Sequence, residues 1–188
     1  MAQYPSEPSI SLPPNGFREL MAQFPSGVAV VTTTDADGAP RGMTCSSVCS
    51  VTPLPPTLLV CLRNGSPTLA SVLERNQFAV NILHVEGQQV AELFASGDPD
   101  RFDRIRWQLG EHAAGPHLTD YAHAIADCRV AHTQQVGDHV VVFGEIYRSR
   151  AHDEQPALLY GRRRYASWPG EEPDVERAVP VPLSARLR

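Results

Sequence analysis

The sequence predicts a mainly β protein, a closed antiparallel barrel with short helices at its periphery. Three observations predict it. Six or seven β-branched or apolar stretches of strand length lie between Val28 and Tyr160. The helical stretches among them are short and do not alternate regularly with strands, which argues against a doubly wound sheet. Turn pairs such as Asp37-Gly38 and Gly137-Asp138 separate neighbouring strands as hairpins do.

The first element is a helix over residues 14–24, where Phe17, Leu20, Met21 and Phe24 recur on one face and Pro25 ends the run. Val28-Ala29-Val30-Val31-Thr32-Thr33-Thr34 is β-branched and reads as a strand. The chain turns at Asp35-Ala36-Asp37-Gly38 and returns as one strand over residues 41–51. Pro53, Pro55 and Pro56 stiffen a loop before a buried strand over 57–62. Ser66-Pro67 has the chemistry of a helix start, and that helix runs to residue 75. Residues 78–83 form a strand, 86–95 a helix, and the stretch through Gly97, Asp98 and Pro99 is irregular. A long hairpin over 124–135 and 139–148 follows, and a short strand at 157–160 closes the domain.

The 188 residues suit one domain with a sizeable core. Of the 17 prolines, four precede Asn15 and four lie from Pro169 onward, so 1–12 is read as a flexible leader and 169–188 as a flexible tail. Residues 13–168 form the domain.

Charge narrows the chemistry. Sixteen cations against 21 carboxylates leave a net charge of −5, which favours neither nucleic acid nor an anionic membrane surface. Every cation is arginine, and the chain has no lysine. Schiff-base catalysis, pyridoxal phosphate anchoring and the Gly-Lys phosphate loop are therefore excluded. Residues 1–8 carry neither a basic start nor an apolar stretch, unlike a secretory signal. No apolar run is long enough to cross a bilayer. A cytoplasmic protein with four reduced cysteines is expected.

Several familiar motifs are missing. There is no Cys-x-x-Cys, His-Glu-x-x-His, Gly-x-Gly or Gly-x-Ser-x-Gly. Cys45 and Cys49, placed along one extended strand, would stand about 13 Å apart, too far for a disulfide or a shared metal. No metal is assigned.

The informative stretch is Gly42-Met43-Thr44-Cys45-Ser46-Ser47-Val48-Cys49-Ser50-Val51-Thr52, which crowds five hydroxyl residues into an apparent strand. A solvent-facing strand edge explains that composition as well as a phosphate site does. The surrounding blocks separate the two readings. Phe17-Arg18-Glu19-Leu20-Met21-Ala22-Gln23-Phe24-Pro25-Ser26-Gly27-Val28 resembles the opening of the flavin reductase-like family. The likeness is to the short-chain reductase components of two-component flavin-dependent monooxygenases. Residues 42–56 and 78–83 agree in order, as do Phe94-Ala95 with Asp100-Arg101-Phe102. Gly137-Asp138-His139 with Gly144, and then Pro156-Ala157-Leu158-Leu159-Tyr160, complete the series. The likeness spans roughly residues 15–168.

The resemblance implies an FMN-binding split β-barrel with peripheral α-helices, as a homodimer with flavin near the subunit interface. It implies NADH or NADPH as donor, FMN or FAD as acceptor, and a flavin-dependent oxygenase partner that receives reduced flavin. Carried over by motif, Thr44, Ser46, Ser47 and Ser50 hold the phosphate and ribityl chain, within a cofactor-binding stretch that includes Cys45. Ser26 and Gly27 line the ring site. Ser66 and Thr68 open a helix whose N-terminus suits an anion, though plain capping explains Ser66 equally. Arg63 neutralises phosphate or is an ordinary loop arginine. Phe94, Arg101 and Phe102 belong near the flavin, with a surface turn and a buried Phe102 as the plainer reading. Asn81 binds cofactor or satisfies neighbouring backbone groups. Asp138 is a hairpin residue by default, and His139 orients the nicotinamide. Tyr160 and Tyr165 are site or packing aromatics. Arg162-Arg163-Arg164 reads better as a solvated loop than as a 2′-phosphate site. The sequence departs from the family at Cys45 and Ser46, where alanine and asparagine are common, and at Cys49, where serine or threonine is.

Two rival functions share the barrel. One is an oxidase or monooxygenase that keeps its flavin and acts directly on an organic substrate. The other is a non-catalytic flavin-binding module.

Overall fold

In the computed structural model, which describes residues 13–152 and 155–169, the β-rich sequence forms two antiparallel sheets. The expected leader lies outside the described residues, as does the expected tail beyond Pro169. Helix α1 (Pro14–Ala22) leads into β1 (Ser26–Gly27), β2 (Ala29–Thr34), β3 (Pro40–Cys45), β4 (Val48–Pro53) and β5 (Pro56–Arg63). Helix α2 (Pro67–Arg75), β6 (Gln77–Leu83) and α3 (Gln88–Ser96) follow. After an irregular segment come β7 (Ala122–Val136), β8 (His139–Ala151), β9 (Ala157–Gly161) and β10 (Arg164–Trp168).

Seven strands pair in the order β3-β2-β6-β7-β8-β5-β4, and β1-β9-β10 form a small second sheet. The two edges of the large sheet, β3 and β4, are consecutive in the chain. The sheet therefore curls until its edges meet, helped by register shifts in the β7–β8 hairpin at Asp127/Cys128 and Val130/His132. No ladder joins β3 to β4, so the barrel is split, as the family resemblance implies, and not fully closed. The single strand expected over 41–51 is two strands, and β1 and β10 were not foreseen.

β2 is buried along its whole length because it has an apolar layer on each face. Ala29 and Val31 join Val60, Leu62, Phe78, Val80 and Val142 in the core inside the barrel. Leu69 and Val72 of α2 join the same core. Val28 and Val30 face the other way, onto Phe94 of α3, Phe102, Leu118 and Leu158. Gly144 has no freedom to vary. A Cβ there would stand 2.5 Å from Phe78 Cζ, and the ring occupies that space.

Two buried polar residues fasten the irregular segment to the sheet. Asn81, fully buried, accepts from the Leu118 N–H (2.8 Å) and donates to Val30 O (3.1 Å) and Thr32 Oγ1 (3.1 Å). Thr32 Oγ1 in turn donates to Pro116 O (2.6 Å). Asp127 is 2% exposed and accepts from the Ala114 N–H (2.8 Å), His117 Nε2 (2.8 Å) and Arg148 Nε (2.7 Å). These bonds satisfy polar groups that would otherwise be costly to bury.

Candidate functional site

The site begins where the polar stretch breaks. Cys45 ends β3 with its side chain in the barrel core, and Ser46 and Ser47 are exposed before β4 starts at Val48. Ser47 Oγ donates to Cys61 O (3.2 Å) and lies 3.3 Å from Cys45 Sγ, so side chains bridge the split that no backbone ladder closes. Burial pushes the Cys45 thiol up, which suits a packing residue rather than a nucleophile. The 13 Å separation expected of Cys45 and Cys49 assumed an unbroken strand, and that premise fails. The two thiols are free and differ instead in setting, Cys45 buried and Cys49 exposed.

Over this break lies a cleft of about 580 Å³, within the range of small-molecule sites. Ser26, Ser46 and Ser47 supply hydroxyls. Phe17 and Met21 of α1, with Phe24 and Tyr160, supply apolar wall. Arg18, Arg162 and Arg163 form a cationic rim, and no carboxylate among the described residues lines this lobe. A second lobe of about 470 Å³ is bordered by Thr44, Glu92 and Tyr165, and shares Ser46, Tyr160 and Arg163 with the first. Register places these groups: Ser26 pairs with Tyr160 across β1–β9, and Tyr160 with Tyr165 across β9–β10. The two rings stand 5.0 Å apart. Burial, then Glu92, raises the Tyr165 phenol, which keeps it protonated.

Hydroxyls, cations and an apolar wall in one cleft fit a phosphorylated heteroaromatic ligand such as a flavin nucleotide. Of the candidate site residues, Ser26, Ser46, Ser47, Tyr160 and Tyr165 lie together around these lobes, with exposed Gly27 beside them on β1. Thr44 borders the second lobe, but its hydroxyl already donates to Ala91 O (2.6 Å).

The other expected site residues lie elsewhere. Asn81 is the buried anchor described above, so its amide is spent on the protein's own backbone. Thr68 is 1% exposed inside α2, and Ser66 caps that helix by accepting from the Leu69 N–H (3.1 Å). Phe94 and Phe102 pack edge to face, 4.9 Å apart, in the outer core. Arg101 donates to Asp98 O (2.8 Å), with its guanidinium 5.9 Å from the Phe94 ring centre. Ser50 sits exposed on β4 outside both lobes. Arg63 pairs in register with His139 at the far end of β5, where His139 Nδ1 and Asp138 Oδ1 are 2.9 Å apart. That hydrogen bond holds the Asp138 carboxyl low. Neither lobe includes Arg63, Asp138 or His139.

Sequence reasoning missed the contribution of α1. The period puts Phe17, Leu20 and Met21 on one helix face, but α1 has no buried residue and Phe17 is 56% exposed. The 3.6-residue period was the signal, but it does not say what the stripe faces.

The same chain matches the model of the flavin reductase like domain over residues 21–169. It is 46% identical over 154 residues to a flavin reductase (NADPH) of Lentzea aerocolonigenes, covering 82% of this chain and 89% of that one. It is 35% identical over 173 residues to the reductase subunit of a flavin-dependent monooxygenase of Rhodococcus jostii, covering 92% and 84%. Among solved structures it is similar to an NADH:FAD oxidoreductase of Streptomyces globisporus C-1027, in complex with NAD and FAD fragments. There the TM-score is 0.78 at 28% identity, covering 85% of this chain and 94% of that one.

Proposed function

The chain belongs to the flavin reductase-like domain family, and from that premise we propose that it is an NAD(P)H:flavin oxidoreductase supplying reduced flavin to a partner monooxygenase. The observation that carries this reading is the cleft over the Ser46–Ser47 break, with hydroxyls, apolar wall and arginine rim. When bound, nicotinamide and flavin supply the redox chemistry themselves, a hydride passing from the one to N5 of the other. The protein's part is binding and orientation. Ser46 offers a hydroxyl to a ribityl chain or phosphate, Ser47, whose proton is held by Cys61 O, can accept from a ribityl hydroxyl, and Ser26 borders the ring site. Phe17, Met21, Phe24 and Tyr160 exclude water from one side of a ring system. No acid–base dyad is required of this site.

The rest of the reading concerns assembly and location. A homodimer would cover the solvent-facing stripe of α1, where Phe17, Leu20, Met21 and Phe24 are all exposed. Light scattering on the full chain should return twice the protomer mass; the protomer mass itself would refute the dimer. No helix among the described residues is long and apolar enough to cross a membrane, and a cytoplasmic location is part of this proposal. His139 is assigned to orienting the nicotinamide. His139→Ala should raise KM for the nicotinamide about tenfold with flavin affinity unchanged, as loss of one hydrogen bond to a charged group would. An unchanged KM removes the role.

The primary test is steady-state nicotinamide oxidation by the flavin-free protein with FMN or FAD added in turn. Turnover that depends on added flavin and saturates with it is expected. Tightly held stoichiometric flavin with direct turnover of an organic substrate would favour the oxidase. Flavin binding without nicotinamide oxidation would favour the carrier.

A further inference from the structure

The turn between β9 and β10 is strained in a way its amino acids do not ease. Its two central residues are Arg162 (φ 49) and Arg163 (φ 61). Both are left-handed, the geometry for which hairpins favour Asn-Gly, because a longer side chain clashes with its own backbone there. Asn76 is the one other non-glycine residue at positive φ among the described residues, and it serves as the C-cap of α2. The two-residue hairpin itself demands this geometry at both positions, and arginine meets it only at a steric cost that Asn-Gly would avoid. Strain of this kind persists where the surroundings impose it, and it concentrates at binding sites.

The surroundings here are specific. The Arg162 N–H donates to Ala22 O (2.6 Å), and Arg162 Nε donates to Gln23 Oε1 (3.1 Å), tying the turn to the end of α1. A Cβ on the preceding Gly161 would stand 3.0 Å from Pro25 Cα, so the tip is held close to the helix exit. Arg163 borders both lobes of the cleft. It makes no hydrogen bond or ion pair with any described residue. Among the described residues Glu92 is the one carboxylate bordering the second lobe, and the first lobe has none. In a chain with more carboxylates than cations, a guanidinium held at a cleft mouth with no carboxylate partner among the described residues suits an anion.

We propose that Arg163, positioned by Arg162, recognises a phosphate group of the nucleotide that enters the cleft. The proposal deepens the reductase reading and rests on it for the identity of the nucleotides. That phosphate can belong to the flavin or to the nicotinamide dinucleotide, and a paired measurement separates the two. FMN and riboflavin binding, followed by flavin fluorescence, and KM for NADH and NADPH are compared in wild type, Arg163→Gln and Arg163→Gly. Loss of one charge-assisted hydrogen bond should weaken the phosphate-bearing ligand about tenfold or more. A loss confined to FMN over riboflavin assigns the flavin phosphate. A loss confined to NADPH over NADH assigns the 2′-phosphate, and an equal rise in both KM values assigns the pyrophosphate. Arg163→Gly should show the same loss while raising Tm by roughly 2–4 °C, since it relieves the turn, so misfolding cannot mimic the result. Unchanged affinity for FMN and riboflavin together with unchanged KM for both nicotinamides overturns the proposal. Should wild type fail to oxidise nicotinamide, the reductase reading falls, while the FMN–riboflavin comparison still decides whether Arg163 binds phosphate.

Discussion

Ser46→Glu should cost flavin-dependent turnover and flavin affinity on the order of 100-fold while moving Tm by no more than about 2 °C. Ser46 borders both lobes of the cleft, is exposed, and makes no hydrogen bond with any described residue. Changing it therefore removes nothing the fold depends on, and such surface changes stay near half a kcal/mol. Glutamate brings a longer side chain and a negative charge to the point where the lobes meet. Like charges forced together in a binding site cost several kcal/mol, and about 2.7 kcal/mol is a hundredfold. Ser46→Ala, which deletes only a hydroxyl, should lose no more than about tenfold. Titration of flavin fluorescence against both variants decides it. Wild-type affinity in Ser46→Glu would mean that flavin does not bind over the Ser46–Ser47 break.

The largest effect on stability is expected at Asp127→Asn, a loss of about 3–5 kcal/mol, or roughly 6–20 °C in Tm. The buried carboxylate accepts three hydrogen bonds, from His117, the Ala114 N–H and Arg148. Asparagine keeps the shape but turns an NH2 group toward groups that are themselves donors, so at least one bond becomes a clash. The pH dependence carries a second signature. Burial pushes the Asp127 carboxyl up, but the bonds from His117, Ala114 and Arg148 outweigh it and leave the carboxyl below its usual value. A carboxyl depressed in the folded state contributes stability that is complete above its unfolded value, near 3.9, and is lost as pH falls through the folded value. Urea unfolding from pH 5 downward should therefore show a wild-type decline from about pH 4 that is shallower in Asp127→Asn. Parallel acid limbs would show that Asp127 is not the linked group.

Much of the fold was legible because its signals are local. Ser66-Pro67 opened α2 as cap and first turn, since capping needs only a hydroxyl within reach of an N–H three residues on. Candidate site residues were legible less evenly. Ser26, Ser46, Ser47, Tyr160 and Tyr165 converge on one cleft, whereas Thr68, Asn81, Phe94 and Phe102 pack the interior. Asn81 illustrates why. Its four partners are Val30, Thr32, Pro116 and Leu118, and no local pattern announces bonds across that sequence distance.

The sequence by itself determined the β-rich class, the order of most elements, the absence of lysine chemistry and the family to which the ordered motifs belong. Those properties rest on composition, on periods of two and 3.6 residues, and on turn and cap chemistry within a few residues. Tertiary structure alone decided that the strand through Cys45 breaks at Ser46–Ser47, and that the α1 stripe lines a cleft instead of a core. It also decided that Arg162-Arg163 is a pinned, strained turn at the cleft mouth and not a free loop. Each of these depends on which distant surface arrives opposite a residue. A helix stripe has the same period whichever surface it meets, and a serine has the same hydroxyl on a strand edge or in a binding site.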